Sequence, residues 1–280
     1  MSRLQASIDT KSTSTSNSLP EALQHSDWAK GLSSYAQVLI GLQAATLCDW
    51  AKVKRCLAAI KDADSSVEFL DIMTLYLTGV FYQGTADLAS ALAIWKDKRF
   101  ELDGSKTPKS RVQSELAILA ALNRLWAMQE PSSGSDAKIA EIIELLRPLC
   151  ESNPDLEIRT AYNLVLASCR LNPPLSINQI KGHIQHSLSC AQQTCNTQCL
   201  SIALNTMRSR LFENVVGEQA LKSARAGSAQ AKKSGNILWM SVADGMLAQS
   251  YEMQGNVKEA QETRALGVKL ANEARDKTLC

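Results

Sequence analysis

From Asp27 onward, apolar residues recur at three- and four-residue intervals, the spacing of an amphipathic helix. No stretch keeps the alternate-residue pattern of a half-buried strand. The helical pattern stops at Asp103-Gly-Ser-Lys-Thr-Pro108, at Glu130-Pro-Ser-Ser-Gly-Ser135 and at Asn172-Pro-Pro174. Each break joins proline with polar residues or glycine, as a helix end requires. Ahead of Asp27, the tract Lys11-Ser-Thr-Ser-Thr-Ser-Asn-Ser18 is too polar to build a core. The pattern therefore predicts a disordered Ser/Thr-rich tail over residues 1–26, an all-α domain over 27–275 and a flexible end over 276–280.

Within the helical region the pattern repeats. Tyr82 follows Gly79 by three residues, Ala91 by twelve and Trp95 by sixteen, with Leu75 four before. This is the spacing of a tetratricopeptide hairpin. A small residue lets the first helix approach the second, an aromatic residue closes the hairpin, and a second small residue receives a knob from the facing helix. The template also fits from Gly41, with Ala44, Val53, Leu57 and a turn at Asp49-Trp50. It fits from Ala248, with Tyr251, Ala260 and a turn at Gly255-Asn256, and more weakly from Arg208, with Leu211, Ala220 and Ala224. The anchors stand farther apart than the ~34 residues of a strict repeat. Two further hairpins, Arg111–Ser152 and Asp155–Asn196, have helical spacing without the signature. About six hairpins result, predicting a tetratricopeptide-like superhelical solenoid. One hairpin cannot bury its apolar face alone, whereas a stack gains a continuous core and a concave groove.

The inner face of such a solenoid is lined by the first helix of each hairpin. On this template the inward positions are Tyr76, Val80 and Gln83, then Asn205, Ser209 and Phe212, then Gln249, Glu252 and Met253. A lining that mixes polar and apolar groups suits an extended peptide, whose backbone needs hydrogen-bond partners and whose apolar side chains need pockets.

Composition narrows the function classes. Apolar residues make up 45% of the 280 residues and aromatics 5%, a balance that favours helix-on-helix packing over a β-sandwich. The net charge is only +2, with acids and bases interleaved, so nothing demands a nucleic-acid partner. Lys222, Arg225, Lys232 and Lys233 give one helix a basic character, read as a solvated face before a contact for an acidic partner or DNA. No apolar run approaches the ~20 residues of a membrane span, and the first residues lack the apolar core of a signal peptide. The eight cysteines lie mostly among apolar or small residues, as small hydrophobes of a reduced intracellular protein would.

Candidate chemistry is sparse. Cys190, Cys195 and Cys199 follow His183 and His186, but no Cys-x2-Cys knuckle is present. Cys195 and Cys199 are expected to pack into a helix interface. The two histidines have no neighbouring nucleophile or acid and are read as surface or packing residues. There is no phosphate-binding loop, dinucleotide fingerprint or His-Glu-x2-His motif, and no carboxylate pair stands out. Neither enzymatic activity nor a cofactor is expected.

Whole phrases carry a more specific signal. They are Phe81-Tyr-Gln-Gly-Thr85, Ala120-Ala-Leu-Asn-Arg-Leu-Trp126, Ile158-Arg-Thr-Ala-Tyr-Asn-Leu164, Asn172-Pro-Pro174, Asn214-Val-Val-Gly-Glu-Gln-Ala220-Leu-Lys-Ser-Ala224 and Lys233-Ser-Gly-Asn-Ile-Leu-Trp239, the last running on to Gln249. As a set, over about residues 30–275, they resemble the cohesin loading factor family, the smaller tetratricopeptide subunit of the cohesin loader in its filamentous-fungal form. The resemblance implies a nuclear, chromatin-associated, non-catalytic scaffold. Its implied partner is a large HEAT-repeat loader subunit, whose extended N-terminal segment threads the groove. Cohesin and chromatin are then reached indirectly, in the service of sister-chromatid cohesion, with ATP hydrolysis left to cohesin. No small-molecule substrate and no membrane is implied. Members of the family are considerably longer, and the likeness is to their C-terminal part. The first hairpin is accordingly expected to expose an apolar end, since a terminal repeat needs a polar cap. Three other readings compete: a generic tetratricopeptide adaptor in another complex, an all-helical enzyme, and a direct DNA binder.

Overall fold

The computed structural model describes residues 27–61, 68–102, 110–128, 136–169, 174–212 and 217–279. The expected disordered tail and the three expected breaks lie outside or largely outside these residues. Among the described residues there are twelve α-helices and no strand. They are α1 (Asp27–Thr46), α2 (Trp50–Lys61), α3 (Glu68–Gly84), α4 (Leu88–Trp95), α5 (Arg111–Ala127), α6 (Asp136–Glu151), α7 (Leu156–Ser168), α8 (Ile177–Gln193), α9 (Thr197–Leu211), α10 (Glu218–Ser234), α11 (Ile237–Met253) and α12 (Val257–Leu279), with a 3-10 turn at Lys98–Phe100. Taken in pairs they make six hairpins, an all-α helical solenoid. None of the described helices is long and apolar enough to cross a membrane. The last helix runs to Leu279, through the residues expected to form a flexible end.

One turn chemistry recurs along the chain. In the turns after α1, α3, α8 and α11, a left-handed residue is followed by Asp or Asn: Cys48-Asp49, Ala86-Asp87, Cys195-Asn196 and Gly255-Asn256. The left-handed residue folds the helix end back on itself. In the second hairpin, Asp87 N donates to Tyr82 O at 2.9 Å and Ala86 N to Gln83 O at 3.3 Å, the paired bonds of a Schellman ending. The acid or amide then caps the next helix: Asp87 Oδ1 accepts from Ser90 N at 3.1 Å, and Asn196 Oδ1 from Cys199 N at 3.0 Å. Cys48, Ala86 and Cys195 hold positive φ without being glycine, a strained choice that the flanking bonds enforce.

Packing follows the small residues. A Cβ on Gly79 would run into the Trp95 ring, and one on Gly84 into the Trp50 ring. Trp95 is 2% exposed and meets Tyr76 and Phe100 at ring-centroid distances of 5.5 and 6.0 Å. Glycine therefore sits where two helices must come close over an indole, as the repeat template requires. The Arg208 anchor is displaced. Arg208 is 1% exposed and fills no small-residue slot: its Nε donates to Ser250 Oγ at 2.8 Å and a terminal nitrogen to Phe212 O at 2.5 Å. The close approach in that hairpin lies earlier, where Ser201 Oγ donates to Gly227 O at 3.0 Å.

Odd-numbered helices form an inner layer in which each touches the next; α2, α4, α6, α8 and α10 each pack outside between two of them, and α12 packs on α11. The stack also closes. Helix α2 touches α12, and Ala44, Cys48, Trp50 and Val53 share one buried cluster with Ile237 and Ala274. Asn236, 2% exposed, fastens the joint. Its Oδ1 caps α11 by accepting from Trp239 N at 3.0 Å and also receives the Cys48 thiol at 3.3 Å. Its Nδ2 donates to Thr46 O, a carbonyl left without an intrahelical partner at the end of α1, at 2.8 Å. The apolar end expected on the first hairpin is thus covered at its turn by the last hairpin. Among the described residues of that hairpin, Leu32, Leu39 and Ile40 of α1 and Leu47 of its turn stay exposed.

Replacing Asn236 tests the joint. Asn236→Ala removes a helix cap and the bond to the Thr46 carbonyl, a loss of about 1–3 kcal/mol in denaturant unfolding. Asn236→Asp keeps the cap but sets an acceptor against that carbonyl. It is expected to destabilise nearly as much, whereas a joint of no consequence would leave Asn236→Asp at wild-type stability.

Candidate partner-binding groove

Five successive inner helices converge on a cavity of about 280 Å³ on the concave side of the ring. From α3 come Tyr76 and Gln83, and from α5 come Leu119, Leu122, Asn123 and Trp126. Ala161, Leu164 and Val165 of α7, Cys199 and Ile202 of α9 and Trp239 of α11 complete the wall. The closing of the ring brings Trp239 opposite Tyr76, far away in sequence. None of these side chains is charged.

The polar groups of the wall are fixed by neighbours. Asn123 Nδ2 donates to the Tyr76 hydroxyl at 3.2 Å, and Trp95 Nε1 donates to Gln83 Oε1 at 2.9 Å. Both amides are thereby oriented, and Gln83 Nε2 and Asn123 Oδ1 have no partner among the described residues. One free donor and one free acceptor in an apolar wall match the needs of a peptide unit. Burial pushes the Tyr76 phenol up to about 12, so it stays a neutral hydroxyl. Burial likewise pushes the Cys199 thiol up to about 12, which keeps the one cysteine of the wall out of its nucleophilic thiolate form. Trp126 is 39% exposed, a large indole held open to solvent.

The expected inward residues divide. Tyr76 and Gln83 line the cavity. Val80 packs instead against the buried clusters of the first two hairpins. Asn205 is buried between α9 and α10, with its Nδ2 on Ser201 Oγ at 3.3 Å. Ser209 bonds back to Thr206 O at 3.1 Å, while Phe212 and Met253 cradle Arg208. Gln249 is exposed on α11, and Glu252 pairs with Arg264 of α12 at 2.5 Å. What the repeat template missed is the tryptophan pair Trp126 and Trp239, together with Leu119, Leu122 and Ile202. The signal lay in the family phrases: Ala120–Trp126, Ile158–Leu164 and Lys233–Trp239 each supply residues of the wall.

Other candidate chemistry resolves into packing. Among the described residues no group of three or more His, Cys, Asp and Glu is placed to hold a metal. Cys190 is buried and Cys199 lines the wall, but Cys195 is not in a helix interface as expected; it is exposed, because it occupies the left-handed turn position. His183 Nδ1 bonds Asn163 Oδ1 and His186 Nε2 bonds Arg159, both at 2.9 Å. The basic side chains of α10 are largely engaged. Lys222 pairs with Glu218 at 2.8 Å, Lys232 reaches buried Asp244 at 3.5 Å, and Arg225 lies 5.4 Å over the Tyr251 ring.

Fold and wall together define an all-α hairpin-repeat protein with an uncharged concave groove. A family model for the cohesin loading factor matches residues 1–258, and the chain belongs to that family. Its role is therefore in cohesin loading, a chromatin-related function. No curated protein matches the chain. No solved structure matches it either.

Thiol labelling checks the groove wall. At mildly alkaline pH, alkylation of a Cys280→Ser variant is expected to reach Cys195 first and to leave Cys199, Cys150 and Cys169 unmodified while the protein stays folded, since burial holds these three thiols at about 12. Labelling of Cys199 as fast as Cys195 would contradict the described wall.

Proposed function

We propose that the chain is a non-catalytic scaffold subunit of the cohesin loader, with the helical residues 27–275 acting as one unit. Its concave groove grips the extended N-terminal segment of the large HEAT-repeat loader subunit, and the pair supports cohesin loading in the nucleus for sister-chromatid cohesion. The observation that carries this reading is the uncharged, aromatic-bearing cavity shared by five inner helices. Nucleic acid is a poor occupant, because its phosphates need Lys or Arg and the wall offers none. An extended peptide is a good one: Trp126 and Trp239 offer large apolar contacts at small entropy cost, and Gln83 and Asn123 offer backbone partners.

Co-expression with the N-terminal segment of the large loader subunit, followed by size-exclusion chromatography, is expected to give a one-to-one complex. Trp126→Ala and Trp239→Ala are each expected to weaken it at least tenfold, which is about 1.4 kcal/mol or more, without loss of helical circular dichroism. A folded chain that forms no complex would favour an adaptor of some other assembly. A complex indifferent to both tryptophans would place the segment outside the groove.

A further inference from the structure

A second cavity, of about 140 Å³, opens among α6, α7 and α8. Tyr162 and Leu166 of α7 form its floor, one helix face away from the Ala161, Leu164 and Val165 that line the groove. Ile143, Arg147 and Glu151 line it from α6, each four residues after the last, and Gln179 and His183 line it from α8. Leu175, just ahead of α8, adds an apolar edge.

Its polar atoms point to a ligand. Tyr162 is 1% exposed, yet its hydroxyl has no hydrogen-bond partner among the described residues. A hydroxyl so placed in the lining is free to pair with whatever enters the cavity. His183 is set as an acceptor. Asn163 Nδ2 donates to Arg159 O at 2.8 Å, so Asn163 Oδ1 receives the His183 Nδ1 proton at 2.9 Å and Nε2 keeps its lone pair. Burial lowers the affinity of His183 for a second proton, which keeps the ring neutral. Gln179 is held by its carbonyl, which accepts from Ser176 N at 2.9 Å and Ser176 Oγ at 2.8 Å. Of the two charges at the mouth, Arg147 is compensated by Glu144 at 2.7 Å. Glu151 has no such partner, and its carboxylate influences both the Tyr162 phenol and His183 more than Arg147 does.

We infer that this cavity binds an alkylguanidinium, with the cation on Glu151, His183 Nε2 and the Tyr162 hydroxyl and the alkyl stem along Ile143, Leu166 and Leu175. Three acceptors from three helices suit the planar five-donor fork of a guanidinium better than a compact ammonium. The volume is close to that of a cavity of roughly 150 Å³ that accepts a six-carbon ring, enough for the end of an arginine side chain. The inference does not depend on the groove or on what fills it.

Titration of the full chain with agmatine and with N-acetyl-arginine methylamide, followed by NMR of the tyrosine and histidine ring signals, tests it. Saturable shifts of Tyr162 and His183 are expected in the millimolar range or below, with butylamine weaker. Glu151→Gln, an exposed position whose loss does not threaten the fold, and Tyr162→Phe are each expected to weaken the shifts at least tenfold. Binding of agmatine alone would identify a free small molecule as the ligand, and binding of both compounds an arginine side chain of a protein partner. No saturable shift with either compound, or equal binding by the Glu151→Gln variant, would overturn the assignment.

Discussion

A helical hairpin has apolar surface on two sides, and a stack of hairpins must do something with the surface at each end. Here the first and last described hairpins cover one another. The cover is made by the turn after α1 and the start of α11 and not by a broad face. It works because one side chain, Asn236, answers two orphaned helix ends together: the first free amides of α11 and a last carbonyl of α1. Around that joint lie Trp50, Val53, Ile237 and Ala274. Burial of this kind contributes roughly 25 cal/mol per Å² of apolar surface removed from water, and it adds to the two hydrogen bonds of Asn236.

The joint shapes the groove as well. A helix row that stayed open would set α11 away from α3, whereas the closed row brings Trp239 to the cavity that holds Tyr76 and Gln83. Close approach depends on Gly79 against Trp95 within the second hairpin and on Gly84 against Trp50 between the first two. With Trp95 seated, its indole N–H fixes the Gln83 amide at the wall. A core contact thus sets the direction of a groove donor, which links packing to recognition through a single hydrogen bond.

Much of the fold was legible in the sequence. The Gly79, Tyr82, Ala91, Trp95 spacing marks a hairpin because those positions must be small or aromatic wherever two helices cross closely. The hairpins Arg111–Ser152 and Asp155–Asn196 were readable from periodicity between breaks. Closure was not, because Asn236 reads as an ordinary cap and its bond to Thr46 spans 190 residues. The groove was half legible. Tyr76 and Gln83 follow from the Gly79 anchor, but Arg208 was a false anchor: it is buried on Ser250, and Asn205 lies buried against α10. Trp126 and Trp239 belong to no repeat position, and only their place in the family phrases set them apart.

The central claim is that the ends of the row meet. Spin labels at the exposed positions Lys52 of α2 and Ala271 of α12, on a background with Cys195 and Cys280 replaced by serine, would report it directly by double electron–electron resonance. The closed ring predicts one short, narrow distance distribution that broadens in Asn236→Ala. A long or broad distribution in the otherwise unaltered chain would contradict closure, and with it the groove as described.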